Sequence, residues 1–414
     1  MSYAVDLHVH SRYAYATSKD LEFDSLARQA KIKGIDLLAS ADFTYPDWFE
    51  ESRLKLNDAG NGLFEYGGVT FILGTEVECH GKHDGRGRRV HLLVFAPSLE
   101  TVERINSALS RYGKLDGDGR PALGLLPREL LTLIKSIDER CFLIPAHLWT
   151  PWFGLYGSKS GYDSLEECFG SDVGQIPAIE TGLSSDPAMN WTVPSLDNLA
   201  IMSFSDAHSA PNLGRELTVV NGEMTYDGLV QAMRRQDILY TVEFYPEEGK
   251  YHHSGHRACL VKMSPEDVRK KGEDCRSCGR RITVGVSYRV KELGGRHVDT
   301  WVGDDGLVHG DTGRPPFKSM VPLREVLSES LGVGVGTKTV ARMYERLIEA
   351  LGTELTVLMD APIAEIESVS NERTAEGIDR VRRGDIFIEP GYDGVYGEVR
   401  VWGKKREGAR RYAT

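Results

Sequence analysis

The chain has 414 residues, of which 41% are hydrophobic and 27% are charged, and its formal net charge is −11 at pH 7. This length exceeds one typical hydrophobic core, so two or three domains are expected. No apolar stretch approaches membrane-spanning length and no signal peptide is recognised, so the sequence predicts a cytoplasmic protein without membrane contact. The acidic balance argues against indiscriminate nucleic-acid binding over the whole surface, although it is compatible with a local basic groove.

Residues 1–245 alternate predicted strands with predicted helices, which is the pattern of an α/β barrel with a parallel core. Apolar runs predict strands at 4–10, 35–42, 71–76, 90–95, 141–147 and 199–206, with later strands at 217–220 and 238–244. Helical periodicity predicts amphipathic helices at 21–33, 101–112, 127–139 and 226–236.

Acidic and imidazole side chains end or directly follow the predicted strands of this region. Because the carboxyl ends of barrel strands converge on one mouth, these side chains are expected to lie together. Imidazoles mixed with carboxylates are typical ligands of divalent ions such as zinc, manganese or magnesium. One such residue is usually a core or cap residue, but eight at strand ends predict a multinuclear metal hydrolase. The eight predicted metal ligands and catalytic residues are His8, His10, Asp42, Glu76, His91, His147, Asp206 and His208.

Two segments beside this predicted mouth have compositions that suit contact with DNA. Segment 79–89 is rich in glycine and arginine, which predicts a mobile basic hairpin that contacts phosphates through Arg86, Arg88 or Arg89. A merely solvated loop is the alternative.

Segment 148–162 is rich in aromatic residues and glycines, and flat rings at a rim can stack on any base. Its predicted DNA contacts are Trp152, Tyr156 and Lys159. The alternative for two of its aromatic side chains is packing in the core.

The six cysteines fall into two groups. Three are isolated and are expected to be reduced core residues: Cys79, Cys141 and Cys168. The others complete an H-x-x-C and a C-x-x-C pair, a spacing that lets two tight turns aim four ligands at one tetrahedral ion. The predicted ligands of this one structural zinc are His256, Cys259, Cys275 and Cys278. His252 or His253 could take the place of His256, and a metal-free hairpin is a further alternative.

A turn-rich linker at 309–316 precedes predicted helices at 321–350 and a short β-like segment at 386–402. The glycine-rich stretch 331–340 lacks the ending of a nucleotide-binding phosphate loop, because Thr337 separates Gly336 from Lys338. It looks more like the hairpin of a helix-hairpin-helix element. There Gly334 and Gly336 would let backbone N–H groups face a DNA phosphate, and Lys338 would add charge. A plain turn between packed helices is the alternative.

The order of the eight predicted ligands resembles the PHP (polymerase and histidinol phosphatase) family of phosphoesterases over residues 1–245. Segments 146–154 and 157–161, the zinc knuckle and the helical region make all but the last dozen residues similar to the endonuclease Q family. Two positions depart from the usual pattern. Asp42-Phe43 stands where the wider family usually has Asp-His, and the knuckle begins with His256 where related proteins often have Cys.

The resemblance implies a distorted seven-stranded (β/α)7 barrel and a repair enzyme that nicks DNA 5′ to uracil, hypoxanthine, xanthine or an abasic site. It implies damaged double- or single-stranded DNA as partner, and a sliding clamp as a possible protein partner. The predicted domains are 1–245, the barrel; 246–310, the zinc-binding domain; 311–402, a helical DNA-binding domain with a short β segment; and 403–414, a basic tail.

The predicted chemistry is hydrolysis of a phosphodiester by metal-activated water. A deaminated base carries a carbonyl where an amino donor stood, so a pocket of N–H groups would accept it and reject the undamaged base. Two alternatives stay open. A small-molecule phosphatase of the same barrel type leaves the knuckle and the glycine hairpin unexplained, and a non-catalytic DNA-binding module would normally have lost some of the eight ligands.

Overall fold

The structure is a computed structural model in which residues 1–403 are described. Its strands are β1 (Ser2–Asp6), β2 (Leu37–Ala39), β3 (Asn57–Asp58), β4 (Phe64–Tyr66), β5 (Val69–His83), β6 (Arg86–Ala96), β7 (Ala122–Leu123), β8 (Phe142–Pro145), β9 (Ala178–Glu180), β10 (Ala200–Met202), β11 (Leu217–Asn221), β12 (Ile238–Glu243), β13 (Ser254–His256), β14 (Val261–Met263), β15 (Thr300–Val302), β16 (Val308–Gly310), β17 (Phe317–Ser319), β18 (Phe387–Glu389) and β19 (Glu398–Arg400). Its α-helices are α1 (Phe23–Lys33), α2 (Pro46–Lys55), α3 (Leu99–Leu109), α4 (Pro127–Ile137), α5 (Leu165–Phe169), α6 (Pro187–Trp191), α7 (Tyr226–Arg235), α8 (Pro265–Lys271), α9 (Val286–Leu293), α10 (Leu323–Leu331), α11 (Lys338–Leu351), α12 (Glu354–Met359), α13 (Ile363–Val369) and α14 (Glu372–Arg382).

The predicted α/β class is confirmed, but the sheet is mixed rather than parallel. It runs in the order β15-β16-β17-β12-β11-β1-β2-β5-β4-β3, with β6 between β5 and β8 and with β7 on β5. Strands β1, β2 and β5 are parallel to one another, whereas β6 is antiparallel to both β5 and β8. Strands β9 and β10 form a separate parallel pair.

A long hairpin formed by β5 and β6 places antiparallel strands in the otherwise parallel part of the sheet. Strands β5 and β6 pair from Leu73–Ala96 to His83–Arg86 around a two-residue turn at Asp84 and Gly85. Both turn residues have positive φ, 48° and 77°, as a tight hairpin turn requires. The hairpin predicted at 79–89 is therefore confirmed, and both of its arms are regular strands. An Asp-Gly pair between alternating residues is a hairpin signal, and it accounts for the regular strands found here.

Backbone contacts join the separate strand pair to its neighbours and bring several strand ends together. The N–H of Leu148, just after β8, donates to the carbonyl oxygen of Glu180 at 3.0 Å. On the other side, Val9 forms a parallel bridge with Ala207. The carboxyl ends of β1, β8, β9 and β10 consequently lie side by side, and this edge of the sheet carries the candidate site.

The C-terminal half is not cleanly separated from the first domain. Strand β17 pairs in parallel with β12, so β15–β17 extend the main sheet across the boundary predicted at residue 310. The helices α10, α11 and α14 share one hydrophobic core with the sheet. The knuckle segment has a small core of its own, formed by Met263, Val268, Cys275 and Ile282.

The predicted β-like segment near the C-terminus is confirmed as the antiparallel pair β18–β19. The predicted tail begins at Gly403, and residues 404–414 lie outside the described part of the chain. Within residues 1–403, no helix has both the length and the apolar character needed to cross a membrane.

Candidate metal centre

Three side chains in or directly behind the centre are positioned by strained backbone just after strand ends. Asp42, His147 and Asp206 have φ angles of 28°, 29° and 45°. Positive φ is uncommon for residues other than glycine and is held only where the surrounding structure imposes it. The strain therefore points to a functional requirement on where these three side chains lie.

Seven of the eight predicted residues form one continuous centre. Three groups have ligand atoms within 4.8 Å of one another: His8, His10 and Glu76; His10, Asp206 and His208; and Glu76, His91 and His147. Because His10 and Glu76 each belong to two groups, the groups are fused. Glu76 and His91 lie inside the long strands β5 and β6. The prediction that every ligand stands at a strand end is wrong for these two residues.

Asp42, the eighth predicted ligand, lies one layer behind this centre. Its Oδ2 accepts hydrogen bonds from the backbone N–H and the hydroxyl of Ser11, at 2.6 and 2.7 Å. Its Oδ1 lies 3.1 Å from Nδ1 of His10, which leaves Nε2 of that ring facing the centre. Asp42 thus orients an imidazole and belongs to no ligand group of the described residues. The neighbouring Phe43 is fully buried in the hydrophobic core.

Glu180 has the same orienting role for the imidazole of His8 and also binds the backbone of His147, and the sequence analysis missed it. Its Oε1 lies 2.9 Å from Nδ1 of His8, and its Oε2 accepts from the backbone N–H of His147 at 2.5 Å. The far nitrogen of His147 is held by Thr150, 3.0 Å away. The signal for Glu180 was available, because residues 176–180 are a short apolar run that ends in an acid.

Arg120 is a second residue that the sequence analysis missed. Its Nη1 lies 3.1 Å from Oε2 of Glu76, and its side chain is 22% exposed at the opening of the centre. The preceding residue, Gly119, passes so close to Asp42 that a Cβ there would lie 2.5 Å from the carboxylate. Arg120 stands in an irregular loop between α3 and β7, so no periodicity marks it.

The carboxylates of the centre create a strong preference for positive charge. Burial works to lower the pKa of His8 and His10, but Glu180 and Asp42, respectively, with the other carboxylates, raise both pKa values well above their usual range. Burial works to raise the pKa of Glu76, yet His91 and then Arg120 and His8 lower it well below its usual value. Protons and divalent ions therefore compete for this centre.

These side chains fit divalent metal ions. Among residues 1–403, the buried Nε2 atom of His8 has no hydrogen-bond partner, although its ring lies among carboxylates. Imidazole and carboxylate donors this close together suit zinc or manganese, and the outer contacts of Asp42 and Glu180 are those that fix metal-binding imidazoles.

The predicted zinc knuckle is assembled as expected. The four ligand atoms of His256, Cys259, Cys275 and Cys278 lie within 4.8 Å of one another. Neither His252 nor His253 belongs to this group, and Nδ1 of His253 contacts the hydroxyl of Ser287 instead. A closed set of three thiols and one imidazole suits a structural zinc.

Comparison with known proteins places the chain. Endonuclease Q in complex with a 27-mer duplex substrate with an abasic lesion at the active site matches with a TM-score of 0.84 and 32% identity, over 99% of this chain and 100% of the other. The lesion-specific endonuclease PfuEndoQ of Pyrococcus furiosus matches with a TM-score of 0.83 and 32% identity, over 97% and 95% of the two chains. The chain belongs to the endonuclease Q family.

Sequence relatives extend this family beyond the solved structures. YqxK of Bacillus subtilis is 30% identical over 416 residues, which cover 95% of this chain and 98% of YqxK. The protein MJ0043 of Methanocaldococcus jannaschii is 32% identical over 274 residues, and this chain spans only about a third of its length. Residues 322–385 match the family described as the MJ0043 C-terminal domain.

At the rim of this endonuclease Q family member, two of the predicted DNA contacts are wrong. The guanidinium of Arg88 is buried and bonds to the carbonyl oxygen of Gly161 and to Glu167. Tyr156 is 1% exposed and packs edge-on against Trp149. Arg88 is covered because the aromatic segment folds back onto the hairpin, whereas Tyr156 is covered by packing within its own segment.

Other predicted contacts are accessible. Trp152 is 40% exposed, and Nζ of Lys159 lies 6.0 Å from its ring centre. Arg86 is exposed at the hairpin tip. Gly334 and Gly336 are exposed in the turn before α11, with Lys338 exposed as the first residue of that helix. These six remain predicted DNA contacts.

Proposed function

We propose that this chain is a metal-dependent endodeoxyribonuclease that cuts DNA on the 5′ side of uracil, hypoxanthine, xanthine and abasic sites. The observation that carries the proposal is the fused, buried centre of seven imidazole and carboxylate residues. It occurs in a chain that matches an endonuclease Q bound to lesion-containing duplex over nearly its whole length.

Divalent ions in this centre would supply Lewis-acid chemistry, by neutralising the phosphate oxygens and activating a water for attack on phosphorus. The protein's contribution is to hold the donors. Asp42 and Glu180 fix the rings of His10 and His8, so that each presents Nε2 to the centre. Glu76 is shared by two ligand groups and joins the centre into one unit.

Arg120 supplies a permanent cation at the opening. A guanidinium cannot lose its proton in a protein, so it keeps its charge whatever the state of the imidazoles. We infer that it contacts a non-bridging oxygen of the scissile phosphate, where charge grows during attack. Water then adds to phosphorus, the bond from phosphorus to the 3′ oxygen breaks, and that oxygen takes a proton.

Selection of the lesion requires the nucleotide to leave the base stack. We infer that the flipped base is read beside the aromatic segment, where Trp152 offers a stacking ring and Lys159 a charge. A deaminated base would present a carbonyl oxygen to backbone N–H groups, and the amino group of an undamaged base would find no acceptor. An abasic nucleotide has no base to unstack, and it carries no group that would clash with the pocket.

We infer the finer architecture from the same resemblance. The main sheet and the β9–β10 pair would form the distorted seven-stranded barrel of residues 1–245, followed by a zinc-binding domain at 246–310. Residues 311–402 would be a helical DNA-binding domain whose turn before α11 acts as a helix-hairpin-helix element. A sliding-clamp partner stays a prediction.

The test uses end-labelled duplexes that carry one uracil, one hypoxanthine or one abasic site, run beside a sequencing ladder. We expect a single nick 5′ to the lesion, with a 3′-hydroxyl on one side and a 5′-phosphate on the damaged nucleotide. A matched cytosine duplex is expected to stay intact. Nicks 3′ to the lesion, release of free uracil or equal cutting of the control would contradict the proposal.

A parallel assay separates the competing functions. Phosphate release from a sugar phosphate or an amino-alcohol phosphate, without nicking of any lesion duplex, would indicate a small-molecule phosphatase. Binding to lesion duplex without either reaction, in protein loaded with manganese or zinc, would indicate a non-catalytic module.

A further inference from the structure

A large cavity lies at the edge of the sheet opposite to the metal centre. It measures about 960 Å³, the size of a small-molecule site. Its walls include Asp197 and Arg314, and Arg314 donates to the carbonyl oxygen of Leu199, just before β10. Ile238, the first residue of β12, also lines it. Asp206 follows the other end of β10, and β10 and β12 both run parallel to β1, so the two sites are separate.

The charge of this groove is unbalanced. Three arginines line it, Arg235, Arg296 and Arg314, against two acids, Asp197 and Asp311. Asp197 already neutralises Arg296, with a carboxylate oxygen 2.7 Å from Nη1, and its other oxygen lies 3.7 Å from Nη1 of Arg314. Within residues 1–403, Arg235 is exposed and makes no ion pair. A bound anion would balance the excess positive charge of these side chains.

Arg314 is the most unusual member. It is 9% exposed, and among the described residues its Nε and Nη1 have no hydrogen-bond partner. Burial lowers the pKa of Arg314 to about 10, against the opposing effect of Asp197. A buried guanidinium with unsatisfied donors is costly unless a ligand or water supplies acceptors, and phosphate oxygens match its fork of N–H groups.

An aromatic pair borders the same groove. Trp301 is 43% exposed on the edge strand β15, and its ring lies 6.0 Å from that of His309 with an angle of 16° between the planes. The position of the His309 ring is fixed by Asp305, whose Oδ1 lies 3.0 Å from Nε2 of His309. An exposed tryptophan beside three arginines has the composition of a site that stacks a base and binds its phosphate.

We infer that this groove binds a nucleotide, with the base on Trp301 and the phosphate at Arg235 and Arg314. The nucleotide can come from two sources, a free nucleoside monophosphate or an unpaired nucleotide of a DNA strand. The inference goes beyond the proposed nicking reaction and does not depend on it.

Calorimetric titration of the full chain tests the inference with deoxyadenosine monophosphate, and with adenosine and deoxyribose 5-phosphate as probes that lack phosphate or base. A 12-residue single strand of thymidine without a lesion tests the second source. We expect the monophosphate or the oligonucleotide to bind, and Trp301→Ala to weaken that binding by about tenfold, the contribution of one base stack. Arg235→Glu should weaken it by about tenfold because it removes one charge-assisted contact to the phosphate. Trp301→Phe should retain most of it.

Arg234→Glu is the matched control, because Arg234 is the neighbouring residue of α7, carries the same charge and donates to Gly174 and Gln175 outside the groove. If Trp301→Ala and Arg235→Glu weaken binding of the monophosphate, the groove binds free nucleotide. If they weaken binding of the oligonucleotide alone, the groove binds a DNA strand. The inference is overturned if neither ligand distinguishes the two groove variants from Arg234→Glu. Nicking of lesion duplex is scored separately, so its failure would not affect this result.

Discussion

At the residue scale, the centre has an inner layer of ligands and an outer layer that fixes them. His8 and His10 each use Nδ1 for an outer carboxylate, Glu180 or Asp42, and keep Nε2 for the centre. Such outer contacts commonly change metal affinity or activity by about 10- to 100-fold when removed. The inner layer is less exposed to solvent than its polarity suggests, since only Asp206 and His208 have side chains that are notably accessible, at 23% and 31%.

Asp206→Asn is expected to abolish most nicking while the fold persists. The change keeps the shape of the side chain and removes a charge that attracts the ion, so activity should fall by about 100-fold or more. Initial rates on abasic duplex at a fixed manganese concentration measure the loss, and circular dichroism checks the fold. Asp47→Asn, an exposed acid in the first turn of α2, is the control. Full activity in chelator-treated wild-type protein would refute the metal dependence itself.

Arg120→Gln is expected to lower single-turnover nicking by about 100-fold, the effect of removing one preorganised donor from a growing charge. The affinity for manganese should not fall, because the guanidinium contacts Glu76 without donating an electron pair to the ion. Arg120→Lys should recover part of the rate, since it restores the charge without the fork. If metal affinity falls together with the rate, Arg120 acts only by holding Glu76.

At the element scale, the hairpin β5–β6 and the knuckle carry their functional side chains differently. The hairpin is long and regular, so Glu76 and His91 are placed by cross-strand pairing rather than by a strand end. The knuckle segment has a core of only a few residues, so its order depends on its four ligands.

Replacing Cys275 and Cys278 together by Ser should remove one zinc per chain. Two of the four ligands are lost, and a closed tetrahedral site cannot hold its ion with the remaining pair. Elemental analysis measures the stoichiometry, and DNA binding is expected to weaken while the ions of the metal centre stay. Ser277→Ala, in the same turn, keeps both thiols and should keep the zinc. An unchanged zinc content in the double variant would argue against this site.

Strand β12 contains a buried acid that makes stability depend on pH. Burial raises the pKa of Glu243 to about 8 against the hydrogen bonds from Ser203 and Thr241, and its Oε2 has no hydrogen-bond partner among residues 1–403. Below pH 4.5 the carboxyl is protonated in both folded and unfolded chains. Between pH 4.5 and 8 only the unfolded chain loses the proton, so the free energy of unfolding falls by about 1.4 kcal/mol per pH unit.

Glu243→Gln should reduce this dependence, because the amide stays neutral at every pH in that window, while the neighbouring Glu216, whose pKa burial and then Glu243 raise, still titrates. We expect the variant to have a higher Tm than the wild type at pH 8 and a similar Tm at pH 4.5. Glu345→Gln, an exposed acid in α11, should show no pH-dependent difference. A Tm advantage that is equal at both pH values would contradict the assignment.

At the scale of the whole molecule, one duplex would have to reach both the metal centre and the turn before α11. The strands and helices that carry these two surfaces share one continuous hydrophobic core, which spans the sheet and the C-terminal helices. A rigid connection of this kind lets distant phosphate contacts set the register of the DNA, while the centre performs the chemistry.

Lys338→Glu is expected to weaken DNA binding without changing the single-turnover rate at saturating enzyme. Loss of one phosphate contact should reduce the slope of log affinity against log salt by about one unit. Fluorescence anisotropy with an abasic duplex at four salt concentrations measures the slope. Arg28→Glu, the same charge reversal on the exposed side of α1, is the control. An unchanged slope in Lys338→Glu would remove α11 from the DNA interface.

The sequence by itself determined the donors of the centre and of the knuckle. An imidazole or a carboxylate just after an apolar run, as at His147 and Asp206, is a local pattern, because the run forms the strand and the strand end aims the side chain. The knuckle needs only two short spacings, Cys275 to Cys278 and His256 to Cys259, and each is closed by a single turn.

Only the tertiary structure decided which side chains stand behind the ligands and which are covered. Glu180 meets His8 across 172 positions of chain, and Arg120 reaches Glu76 from an irregular loop. Arg88 lies in a segment with the composition of a DNA-binding rim but is buried by the packing of two distant segments. No local period records such contacts, because they depend on the free energy of burying one segment against another rather than on the conformation of either one.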